Sequence, residues 1–151
     1  MFSIKTMGIL IAWGLLAHCL AHAFAFGALI AQSLRGLSDS RVVILSWLFP
    51  AISPKTAAAA AIPFWALSTI GFLAASMSFW DLIVPGGAWR LLAAASAIIS
   101  ILSIALFSGI WPGSRNQARS ILNTSITLAM NVAILVSLLW MGWPPHEMFG
   151  K

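Results

Sequence analysis

His18 and His22 stand four residues apart in an uncharged stretch, with Cys19 between them. On a helix that spacing puts both imidazoles on one face. A histidine in the middle of a membrane span is costly unless partnered, so the pair is the first candidate for chemistry. Three uses compete. A bis-histidine haem needs ligands on opposite sides of its ring, and two histidines on one helix face cannot both serve one iron. The remaining histidine, His146, follows Pro145 near the end of the chain. One copy therefore lacks a cross-helix pair, whereas a symmetric dimer supplies it by donating His18 or His22 from each copy. Zinc requires three or four ligands. Cys19 points about 100° away from His18 around the helix, and the acids Asp39, Asp81 and Glu147 all lie outside the apolar runs. No metal site is expected. The reading that remains is two neutral imidazoles hydrogen-bonded across helices. The alternative is a binder of an apolar ligand or redox cofactor (haem, quinone or pigment) through His18 and His22.

The partners for such histidines stand near the other end of the chain. Asn123, Thr127 and Asn131 recur at spacing four, and Ser120 and Thr124 widen them into a polar stripe. A stripe of this kind must face protein or water, never lipid. Asn131 falls at the depth of His18, so the spacing predicts a hydrogen bond between them. Interhelical bonds of this type contribute about 1 kcal/mol each. Ala93, Ser96, Ser100 and Ser103 form a second stripe, of small residues, which lets another helix approach closely.

The absences narrow the function further. No Asp, Glu, Lys or Arg lies deep in an apolar run. Proton-coupled antiporters and pumps need an intramembrane acid, membrane aspartyl peptidases need two carboxylates, and phosphoryl transfer needs charged phosphate-binding groups. One cysteine excludes a disulfide relay. Gly86-Gly87 reads as a turn, because the Ala-Trp-Arg that follows does not match a phosphate loop. The expectation is a protein that is not an enzyme: an accessory or structural subunit, or a module that packs against partners or itself. A small transporter of a neutral solute is the third reading.

The elements that hold these residues follow from composition. The chain has 151 residues, of which 61% are hydrophobic and 7% charged, with a mean hydropathy of +0.99. Soluble domains run about 25% charged, and eleven charges cannot cover the surface of a soluble domain this size. The net charge of +5 comes from basic residues scattered singly between apolar runs. That pattern fits topogenic loops and anionic headgroups rather than nucleic acid. The lipid bilayer is therefore the first partner, followed by other membrane subunits or a second copy.

Charges are absent from Thr6 to Leu34, Thr56 to Trp80, Leu91 to Ser114 and Ser120 to His146. Each run exceeds the ~20 residues that cross a hydrocarbon core as a helix. The runs are continuous rather than alternating, so helix wins over barrel strand. The expected architecture is all-α, one domain over residues 1–151, with spans at about Met7–Ile30, Ala57–Phe79, Leu91–Trp111 and Ile121–Trp143. Turn residues between them (Gly36 to Ser40, Pro85 to Gly87, Pro112 to Ser114) imply an up-down-up-down bundle. Ser38 or Asp39 is a candidate cap for a short interfacial or re-entrant helix at about 41–50, too short to span. Pro63 should kink the second span. Trp80, Trp89, Trp111, Trp140 and Trp143 mark span ends, whereas Trp13 and Trp65 read as deeper packing residues. A signal-peptide reading rests on Lys5, the apolar run from Met7 and the small residues Ala21 and Ala23, and is opposed by the unbroken run to Leu34. Loops one-to-two and three-to-four carry five of the eight basic residues, Arg35, Arg41, Lys55, Arg115 and Arg119. Positive-inside bias then sets a multi-pass protein of the cell membrane with both termini outside.

Overall fold

The computed structural model describes residues 4–35, 44–46, 48–80, 82, 86–109, 111–112, 114 and 116–145. Four helices dominate it: α1 (Ile4–Arg35), α2 (Pro54–Phe79), α3 (Trp89–Leu106) and α4 (Gln117–Leu135). Each is long and apolar enough to cross a membrane. Two start on sequence signals. The Ser53 hydroxyl accepts from the Thr56 amide at 3.1 Å, and Pro54 occupies the first turn, where its missing N–H is no loss. The Asn116 side chain accepts from the Arg119 amide at 2.9 Å. Pro63 lies inside α2 without ending it.

Consecutive helices pack, and their contacts run in opposite senses. Along α1 and α2, Ala12 meets Ser76, Cys19 meets Thr69 and His22 meets Trp65. Along α2 and α3, Phe79 meets Trp89 and Gly71 meets Ser96. Along α3 and α4, Ser100 meets Asn131. These pairings are compatible with an up-down-up-down bundle. Small residues decide the α2–α3 fit: a Cβ at Gly71 would fall on the Ser96 hydroxyl. The expected small-residue face of α3 is accordingly buried at Ala93, Ser96, Ser100 and Ser103.

Two departures from expectation share one cause. The third span was expected to reach Trp111, and a short helix was expected near 41–50. Instead α3 ends at Leu106, and Phe107–Gly109 (β2) pairs antiparallel with Ile44–Ser46 (β1). The register sets Leu45 against Ser108. A strand exchanges its backbone hydrogen bonds with a neighbour, whereas one turn of helix leaves most of its own unmade. The pair also ties the loop after α1 to the loop after α3, so both lie at one end of the bundle. Residues 36–43, with the caps expected at Ser38 and Asp39, lie outside the described residues.

The fourth span begins earlier than expected, at Gln117, and its last turn widens to a π-helix over Val136–Trp140. Gly142 then turns the chain at φ 59°, a conformation that favours glycine. Pro144 is buried beyond it. α4 is the peripheral helix: 11% of its most apolar stretch is buried, against 28–39% for the other three. The tryptophans divide differently from expectation. Trp65, Trp89 and Trp111 are turned inward, whereas Trp13 is exposed and meets Trp80 edge-on at 6.0 Å. A ring near a span end can satisfy its contacts from either side, so position along the chain did not fix direction.

Candidate functional site

The two histidines lie between two apolar clusters. One, around Ala25, Leu29, Ala57, Ala61, Trp65 and Trp111, fills the end of the bundle near the strand pair. The other, around Leu15, Phe72, Ala75, Trp89, Ala93 and Ala97, fills the opposite end. His18 and His22 are 2% and 1% exposed, and Asn131 is fully buried. The i, i+4 spacing brings the imidazoles edge to face, with centroids 4.9 Å apart. Phe72 abuts both rings at 4.6 and 5.4 Å, and Trp65 lies 5.2 Å from His22. Trp111 stands behind it at 6.4 Å.

Three helices supply a chain of hydrogen bonds through this site. His18 Nε2 donates to Asn131 Oδ1 at 2.9 Å, because a carbonyl oxygen only accepts. Asn131 Nδ2 donates to Ser100 Oγ at 2.7 Å. Ser100 Oγ lies 3.2 Å from His22 Nε2. Its oxygen accepts from Asn131 and keeps a second lone pair and its own proton for His22. The network therefore assigns His18 the Nε2–H tautomer, and Ser100 pairs with either tautomer of His22. Both Nδ1 atoms are buried without a hydrogen-bond partner among the described residues.

Chemically, the arrangement does one thing well. It gives Asn131, Ser100 and the Nε2 atom of each histidine a partner in an apolar interior, where an unpartnered polar group costs free energy. In doing so it joins α1, α3 and α4. Both Nε2 atoms are engaged with protein groups, and both rings project from the same helix. Among the described residues no group of three or more His, Cys, Asp or Glu side chains comes together. Cys19 points elsewhere: its thiol donates to the Thr69 carbonyl at 3.3 Å on α2.

The polar stripe of α4 is split among three surroundings. Asn131 meets His18, as the spacing predicts. Asn123 donates to Ser114 Oγ at 3.2 Å, in the loop before its own helix. Thr127 is buried, yet it makes no hydrogen bond among the described residues. Ser120 accepts from the Trp111 amide, tying the loop to the first turn of α4. The residue that sequence reasoning missed is Ser100, read there only as a small packing residue. Ser100 and Asn131 are equidistant along the chain from the Arg115–Asn116 bond, and in an antiparallel hairpin equal distance means equal depth. That symmetry was the available signal.

The class of protein these features define is a four-helix integral membrane protein with a buried polar cluster. No protein-family model, curated protein or solved structure matches the chain.

Proposed function

We propose that this chain is a non-enzymatic membrane protein, an accessory or structural subunit that packs against other membrane subunits or a second copy of itself. The observation that carries this reading is the closure of the His18–Asn131–Ser100–His22 chain. Both Nε2 atoms are engaged within the bundle, and both rings project from α1, so the two imidazoles of one copy cannot take opposite faces of one haem. The cluster fastens α4, the least buried helix, to α1 and α3. The polar groups face inward, and the outer face of α4 stays apolar at Ile121, Leu122, Leu128, Val132 and Leu139. Such a face suits a lipid or a partner helix equally.

The test is the absorbance spectrum of the protein purified in mild detergent, followed by identification of the proteins that co-purify. The reading expects no visible band and a stoichiometric membrane partner or self-association. A visible band that His18→Ala abolishes would replace it with a cofactor-binding function.

A further inference from the structure

α4 packs on α3, and it reaches α1 through the His18–Asn131 bridge. On the strand-pair side of that bridge the two helices part. A cavity of about 420 Å³ opens between them, walled by Ala21 and Phe24 of α1, Trp111 of the loop, and Asn123, Ile126 and Thr127 of α4. None of its walls, among the described residues, is charged.

Thr127 sets the chemistry of this cavity. It is 4% exposed and has no hydrogen-bond partner among the described residues. A hydroxyl on a membrane helix ordinarily bonds back to the carbonyl four residues earlier. Thr69 does so to Trp65 at 2.7 Å, and Ser96 to Leu92 at 2.6 Å. Thr127 does not, and it lines the cavity instead. The buried hydroxyls left without a partner among the described residues are those of Ser68 and Ser103, whereas the Thr127 oxygen opens onto the cavity as a free donor. Asn123 gives one amide proton to Ser114, which leaves a second donor at the same wall. The flat indole of Trp111 and the ring of Phe24 complete the walls.

We infer that this cavity binds a neutral, lipid-soluble planar carbonyl compound of the quinone class. A carbonyl oxygen accepts from the Thr127 hydroxyl, and the ring lies against Trp111. Among the described residues no charged wall is present to pair with an ionic headgroup. A plain acyl chain would fill the space and leave Thr127 unpaired. The site is distinct from the histidine cluster, with Trp111 standing between the cavity and His22.

The experiment is equilibrium dialysis of the detergent-solubilised full chain with a radiolabelled, short-tailed benzoquinone against protein-free micelles. Saturable binding at one site per chain is expected. Thr127→Val keeps the shape and removes the hydroxyl, and should weaken binding about fivefold, the loss of one hydrogen bond of about 1 kcal/mol. Ala21→Trp fills the cavity from an exposed position and should abolish binding. Circular dichroism matching the wild type certifies each variant as folded. The inference is overturned if wild-type uptake equals that of empty micelles, if a folded Ala21→Trp still binds fully, or if the tail without its ring competes equally well. None of these outcomes bears on the histidine cluster, so this inference and the proposed function stand or fall separately.

Discussion

His18 Nε2 and Asn131 Oδ1 meet at 2.9 Å, and this bond joins two helices whose backbones do not otherwise pack closely along their length. α1 is held by α2, and α4 by α3. The polar bridge therefore adds to the apolar contact that Ile134, Leu135 and Leu138 make with the cluster around Leu15 and Phe72. Removing it should release α4 before any other helix.

Gly71 and Ser96 make the α2–α3 contact sensitive to a single methyl group. Gly71→Ala puts a Cβ on the Ser96 side chain. Overpacking of this kind destabilises by about 1–3 kcal/mol. Thermal unfolding in detergent should fall for Gly71→Ala and recover in Gly71→Ala with Ser96→Gly. Equal stability of the single variant and the wild type would show that the helices part freely here.

The caps of α2 and α4 are separable from the core. Ser53→Ala removes the acceptor of the Thr56 amide, and Asn116→Ala that of the Arg119 amide. Each should lower stability by about 1 kcal/mol. Hydrogen exchange should rise in the first turn of the affected helix and stay unchanged in α3. A rise spread evenly over the chain would contradict the local role.

Orientation is open to a direct labelling test. Five of the eight basic residues lie in or beside the two loops that β1 and β2 tie together, and a positive-inside bias would set those loops toward the cytoplasm. In a Cys19→Ser background, Gln117→Cys offers one exposed thiol beside the second loop. An impermeant maleimide should label it in inverted vesicles and not in intact cells. Labelling of intact cells reverses the assignment.

How much was legible in the sequence depends on the kind of signal. The four helices were, because uncharged runs such as Leu91 to Ser114 have few alternatives in a bilayer. The pairing of His18 with Asn131 was, because depth follows from counting residues along antiparallel spans. The strand pair was not: Ile44–Ser46 and Phe107–Gly109 are three residues each, and nothing local distinguishes them from helix. They form because two loops meet at one end of the bundle. Ser100 was hidden for another reason. Its hydroxyl suits a close-packed face and a hydrogen-bond chain equally, and only the neighbours decide. The freedom of Thr127 was invisible too, since a threonine on a helix normally satisfies itself.

The buried cluster fastens α4 to α1 through the His18–Asn131 bond. A double-mutant cycle between His18→Phe and Asn131→Leu in detergent, read by thermal or denaturant unfolding, measures it most directly. Each single variant strands the polar group of its partner, and the double variant strands fewer. A coupling energy of about 1 kcal/mol is expected, in the range of interhelical hydrogen bonds in membranes, with both single variants less stable than the wild type. Additive effects with no coupling would contradict it.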